Sequence, residues 1–192
     1  MRNIYITGVS RTGKTTLCKM IKDSLLEMKF NYISFEALRN GFIKSQPELQ
    51  MGNRNSEARS KIMPSFIIEY ANWNKEITNY PSLIDYAFDS IEFLKNNVNE
   101  DDIIICLGFD GKELETIVQE IKSHSKEEDY TFSWSIEQLI KHFFDIVQAD
   151  QKNKIECIKN NVLYFDTSQN REQVLNNILH LIKENYEKVK GK

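Results

Sequence analysis

Nine consecutive residues, Gly8-Val9-Ser10-Arg11-Thr12-Gly13-Lys14-Thr15-Thr16, carry the densest chemistry in this 192-residue chain. They read G-x-x-x-x-G-K-T, the pattern of a phosphate-binding loop. Two glycines let consecutive backbone N–H groups turn inward around an anion. A helix starting at the lysine adds the positive end of its dipole. Lys14 would reach β- and γ-phosphate oxygens, and the Thr15 hydroxyl would be a ligand to Mg²⁺. The four fixed positions meet by chance in roughly one chain in a hundred of this length.

Such a loop works only between a strand and a helix. Residues 3–7 are a short β-branched and aromatic run suited to a buried strand, and Leu17, Ile21, Leu25 and Met28 recur at helical spacing after Lys14. Further strands are expected at residues 31–35, 80–85, 102–108 and 161–165. The third has Pro81 near its start, where a missing donor is tolerated. Helices are expected between them. One carries Ile62, Phe66, Tyr70, Trp73 and Ile77 as an apolar face, and a second carries Ile91 and Leu94. Another helix is expected over residues 112–124. A longer one opens with the capping box Ser135/Gln138 and runs to about Lys159 through Ile136, Ile140, Phe143, Val147, Ile155 and Ile158. A last helix holds Val174, Ile178, Leu181 and Val189. Strands alternating with helices predict one α/β domain over residues 1–192, a parallel sheet in a three-layer α/β/α sandwich.

In such sheets the ligand lies at the carboxyl ends of the strands. The second strand ends at Glu36, with Arg39 one turn on. Glu36 either takes or orients an acceptor hydroxyl proton, or caps the helix that follows. Arg39 either clamps an acceptor anion or is a surface charge. The third strand ends at Asp85, a candidate Mg²⁺ ligand with Asp89 as its rival. The fourth ends at Gly108-Phe109-Asp110. The fifth ends at Asp166-Thr167-Ser168, a turn that caps the last helix and borders the nucleotide base. Residues 41–60 are polar and irregular, an expected mobile acceptor-side segment with Arg54 and Arg59 available to meet substrate charge. Residues 109–134 form a lid-like segment. Its Tyr130, Phe132 and Trp134 read as packing rather than a base-stacking platform.

Composition removes several alternatives. The net charge of −3, with acids and bases intermixed, leaves no electrostatic footprint for duplex nucleic acid or an anionic membrane. Cys18, Cys106 and Cys157 lie singly, without metal or disulfide spacing. With no apolar run approaching membrane-spanning length, the expectation is a cytoplasmic protein without nucleic-acid or membrane partners. Asn153-Lys154-Ile155-Glu156 imitates a guanine-reading motif but falls inside an expected helix. No hydrophobic run ends in Asp-Glu, as a water-activating ATPase requires.

With these residues in place, the chain resembles the small P-loop kinases, the adenylate-kinase-, shikimate-kinase- and uridine-kinase-like proteins. The resemblance is strongest over residues 4–21, with weaker echoes at 33–39, 83–85, 107–109 and 164–168. It implies the sheet order 2-3-1-4-5, with Asp85 beside the loop and Glu36 across the acceptor site. It also implies ATP with Mg²⁺ as donor and a small-molecule phosphoryl acceptor. Two departures stand out. Adenylate kinases carry an arginine-rich lid, whereas residues 109–134 contain no arginine. The residues after the second strand match neither the nucleoside monophosphate kinases nor the shikimate kinases. The expected catalytic set is Lys14, Glu36 and Arg39, with Thr15 and Asp85 on the metal. Gly8 to Thr16 and Asp166 to Ser168 would lie on the nucleotide. The alternative is a nucleotide-binding regulatory protein or ATPase without a small-molecule acceptor.

Overall fold

A computed structural model of the chain describes residues 2–53, 56–110, 112–125, 127 and 131–190, the side chains of 188–190 excepted. Strands β1 (Ile4–Gly8), β2 (Asn31–Ser34), β3 (Ser82–Asp85), β4 (Ile103–Gly108) and β5 (Leu163–Asp166) alternate with helices. These are α1 (Lys14–Ser24), α2 (Phe35–Ser45), α3 (Met63–Thr78), α4 (Ile91–Asn97), α5 (Leu114–His124), α6 (Ile136–Lys159) and α7 (Arg171–Lys190). The sheet is parallel throughout in the order β2-β3-β1-β4-β5. The expected fold and strand order are both present.

The central strand β1 is buried along its whole length, as a strand covered on both faces must be. Its alternate side chains serve two cores. Ile4 and Ile6 pack with α1 and α7 through Leu17, Ile21, Leu175 and Ile178, whereas Tyr5 packs with α3 through Ile67 and Ile68. A third cluster joins α5 and α6 and takes in Val9 of the loop and Phe109 after β4. The start of the sheet is pinned by Asn3. Its backbone N–H donates to Asp102 Oδ1 at 2.8 Å, and its side-chain oxygen accepts from Ser82 N at 2.9 Å.

Two expectations change. Residues 41–60 begin inside α2, which continues to Ser45 because Leu38 and Phe42 pack against the α3 core. A 3₁₀ turn follows at Pro47–Leu49, then a π-helical turn at Ala58–Ile62 that leads into α3. Arg54 lies outside the described residues, as do Gly111, Lys126, Glu128, Asp129 and Tyr130 of the lid-like segment. The second change concerns which faces are inward. Ile62, Phe66, Tyr70, Trp73 and Ile77, expected as the packed face of α3, are 41–67% exposed, and the helix buries Met63, Pro64, Ile67, Ile68 and Ala71 instead. On α6, the capping box and the extent to Lys159 are as expected. The inward residues, however, are Leu139, Phe143, Ile146, Asp150, Asn153 and Cys157, leaving Ile136, Ile140, Ile155 and Ile158 outside.

This reversal is directly measurable. Ile67→Ala is expected to destabilise the fold by about 2–5 kcal/mol in urea unfolding. Ile77→Ala, on the exposed stripe, is expected to stay within about 0.5 kcal/mol at high dilution.

Candidate phosphate-binding site

The loop leaves β1 at Gly8, whose φ of 112° is open to glycine and strained for other residues. A Cβ there would lie 1.9 Å from the Leu107 carbonyl oxygen, so the turn passes directly against the β4 backbone. Thr12, fully buried, donates its hydroxyl to the Val9 carbonyl at 2.9 Å, closing the loop on itself. Lys14 Nζ donates to the same carbonyl at 2.6 Å. Burial holds the Lys14 ammonium below its usual basicity, with the Asp85 charge opposing.

The parallel register sets Asp85 level with Ile6 of β1 and Ser34 of β2, at the carboxyl edge of the sheet. Thr15 Oγ1 then donates to Asp85 Oδ2 at 2.7 Å, bringing the two expected metal ligands together. Tyr32 donates its phenol to the same oxygen at 3.3 Å. Burial and the Asp85 charge together push the Tyr32 phenol up. A hydroxyl and a carboxylate are hard oxygen donors that suit Mg²⁺, which takes one or two protein ligands and completes its shell with phosphate and water. No group of three or more His, Cys, Asp or Glu among the described residues could hold a metal by itself.

The acceptor side is arranged differently. Glu36 and Arg39 both lie on α2 and form an ion pair with each other, Glu36 being 64% exposed. Arg39 Nε is buried without a hydrogen-bond partner. Arg59, in the π-helical turn, sets its guanidinium 5.7 Å from the Phe35 ring centroid, and its backbone carbonyl accepts from Tyr86 at 3.5 Å. On the opposite flank, both the N–H and the hydroxyl of Thr167 donate to the Gly108 carbonyl at 2.8 Å. Ser168 N donates to Asp166 Oδ1, also at 2.8 Å. The Asp166 turn is thereby tied to the end of β4. Arg171 and Leu175 of α7 lie beside Gly13 of the loop.

Three groups at the site escaped the sequence reading. Tyr32 reads as strand filler. Thr131 sits in the lid-like segment, fully buried, and accepts from Arg11 Nη2 at 2.9 Å, so a loop residue reaches across to the lid. Asp150 is 3% exposed and accepts from Phe109 N at 2.9 Å and from Tyr164 OH at 3.0 Å through one oxygen. Its other oxygen has no partner, and a Cβ on Gly108 would fall 2.2 Å from it. A lone acid on the inward stripe of α6 was the available signal.

No protein-family profile matches this sequence, and no curated protein does. The fold is shared with solved structures of several kinases. A shikimate kinase from Bacteroides thetaiotaomicron superposes with a TM-score of 0.59 at 12% identity, covering 97% of this chain and 98% of that one. A gluconokinase from Sinorhizobium meliloti 1021 gives 0.61 at 13%, covering 98% and 95%. A sugar kinase from Janibacter sp. HTCC2649 gives 0.62 at 13%, covering 95% of each chain. No helix among the described residues is long and apolar enough to cross a membrane.

Burial raises the Asp150 carboxyl above its ordinary value of 3.8, outweighing the two hydrogen bonds that lower it. A raised folded-state value means stability present at low pH and lost as pH rises from 3.8 through the folded-state value. Asp150→Asn is expected to remove that part of the decline, read from urea midpoints of the two proteins across this pH range.

Proposed function

We propose that this protein is an ATP-dependent phosphotransferase moving the γ-phosphoryl group to a small molecule bearing a hydroxyl or a phosphate. The observation that carries the reading is the 2.7 Å hydrogen bond between Thr15 and Asp85 beside the loop lysine. It joins a nucleotide-phosphate cradle to a carboxylate at the next strand end, as metal-assisted phosphoryl transfer requires. Thr15 and Asp85 would hold Mg²⁺, which would supply positive charge to offset that of the transferring group. Lys14 exchanges the Val9 carbonyl for phosphate oxygens, and the loop amides hold the β-phosphate. The turn from Asp166 to Ser168 borders the base.

On the acceptor side, an anionic group on the substrate competes for Arg39 and releases Glu36. Glu36 then accepts or orients the attacking hydroxyl proton. Arg59 adds charge from the π-helical turn. Supporting a small acceptor, Phe35, Tyr86 and Phe88 form an edge-to-face aromatic cluster behind Arg59.

Arg11 fills the role that lid arginines play elsewhere. The described lysines of the lid-like segment are engaged locally, Lys112 with Glu120 at 2.5 Å and Lys122 with the Trp134 carbonyl at 3.0 Å. Arg11 stands between the loop and Thr131, at a φ of 69°. From there its planar guanidinium can follow charge as it develops on the transferring group.

A second reading, a nucleotide-binding regulator or ATPase without an acceptor, draws on the Glu36–Arg39 pair, in which the two charges neutralise each other without any substrate. ADP release across a panel of nucleosides, nucleotides, sugars and hydroxy acids, with ATP and Mg²⁺, separates the two. Stimulation by a class of acceptor supports the kinase, and release that no acceptor changes supports the regulator. Lys14→Ala is expected to abolish release while leaving the unfolding midpoint in place, and Asp85→Asn to raise the Mg²⁺ concentration required. Arg11→Ala is expected to lower kcat by roughly 10²-fold or more with a smaller change in KM for ATP. Arg11→Lys is expected to recover only part of the loss, because an ammonium lacks the planar fork.

A further inference from the structure

The outward face of α3 is organised as carefully as its core face. Ile62 is 59% exposed, Phe66 41%, Tyr70 43%, Trp73 63% and Ile77 67%. They follow one another at intervals of four, four, three and four residues. At 100° per residue they fall within an arc of about 80°, centred about 130° from the middle of the buried side of the helix. Phe66 and Tyr70 stack at 5.8 Å with an interplanar angle of 10°, and Phe42 of α2 packs edge-on against Phe66 at 6.3 Å. The stripe is thus a pre-ordered surface rather than a set of loose side chains. Side chains of this kind present roughly 150–250 Å² each, so the five expose on the order of 600 Å². That is the upper end of the largest apolar patch on ordinary monomers, about 300–600 Å².

We infer that this face is a homodimer interface, in which α3 of two copies packs antiparallel about a two-fold axis at Tyr70. Three observations select a second copy as the occupant. A two-fold contact requires a surface that matches itself when reversed. The stripe does so to within one residue: reversal about Tyr70 brings Ile62 within one helical rise of Ile77 of the second copy, Phe66 within one rise of Trp73, and Tyr70 against Tyr70. The spacing from Phe66 to Ile77 is that of a two-heptad antiparallel seam. The area also fits: with the exposed polar flank of Lys61, Ser65, Glu69 and Glu76, each copy approaches the roughly 800 Å² that a stable interface buries per partner.

Charge follows the same geometry. Lys61 and Glu76 lie on one flank at opposite ends of the helix, so antiparallel pairing brings each Lys61 near Glu76 of the other copy. The two Glu69 carboxylates lie on that flank near the axis, a like-charge contact that keeps the dimer reversible. Because α3 is continuous with the π-helical turn that carries Arg59, pairing would brace the acceptor side of each site from outside.

Cysteine cross-linking in the intact protein tests the register. The native Cys18, Cys106 and Cys157 are buried, so an engineered surface thiol reports alone. Tyr70→Cys is expected to give a disulfide-linked dimer under mild oxidation. Ile62→Cys alone is not, since its two copies would lie about 24 Å apart along the seam. The double variant Ile62→Cys/Ile77→Cys is expected to cross-link again. Sedimentation equilibrium of the unmodified chain from nanomolar to high micromolar concentration should show a monomer–dimer equilibrium. Trp73→Glu is expected to weaken it by roughly tenfold or more, with far-UV circular dichroism unchanged. A monomer at every concentration would overturn the inference, as would Ile62→Cys cross-linking as readily as Tyr70→Cys.

Discussion

The hydrogen bond between Thr15 and Asp85 is short-range, yet it depends on nearly every long-range feature of the fold. Thr15 is placed by the loop, and the loop by Gly8 turning against the Leu107 carbonyl at a distance no side chain allows. Asp85 is placed by β3, which pairs with β1 because the chain first lays β2 at the sheet edge and then returns to fill the place between them. A slip of one residue in the β1–β3 register would turn Asp85 to the other face of the sheet. The sheet order is therefore what makes a carboxylate and a hydroxyl seventy residues apart act as a pair.

The loop has a second set of supports that the sheet does not supply. Val9 is buried among residues of α5 and α6, so the helical pair that carries the lid-like segment rests directly on the phosphate cradle. Arg11 adds a polar tie to Thr131 on the same side. Opposite, Asp150 gathers Phe109 N and Tyr164 OH around the close approach at Gly108, and Thr167 ties β5 to the same carbonyl edge. Movement of the lid would therefore be felt by the loop backbone through packing as well as through charge.

Much of this was legible from residues alone. The loop motif, its flanking strand and helix, the alternation of strands and helices, and the capping box at Ser135 and Gln138 are local signals with local causes, and all are present in the structure, although α1 ends at Ser24, short of Leu25 and Met28. The faces of α3 and α6 were not legible. Periodicity reports that a stripe is apolar but not what covers it, and α3 has two such stripes. The outward one holds the larger aromatic residues, whereas the inward one includes Pro64 and Ala71, which contribute little to an apolar pattern. The helix at residues 35–45 has a local signal, Phe35, Leu38 and Phe42 at helical spacing, but Gly41 interrupts it and the polar residues beyond Ser45 blur its end. Glu36 and Arg39 were expected just past the second strand and lie in the first turns of α2; their i, i+3 spacing pairs them with each other, an alternative to facing a substrate that residue types alone do not reveal.

The 2.6 Å bond from Lys14 to the Val9 carbonyl has a thermodynamic consequence. Without a nucleotide, the lysine is not idle in water; an internal acceptor occupies it within the cradle itself. On the proposed function a phosphate reaching Lys14 would displace that carbonyl, and its affinity would be the difference between two hydrogen-bonded states rather than the gain from a bare ammonium. The exchange is favourable because an anion outcompetes a neutral oxygen for a partly desolvated cation. A neutral ligand of the same shape would gain almost nothing by the swap. On that proposal the loop would select for charge before shape, with an atom of its own backbone as the reference competitor.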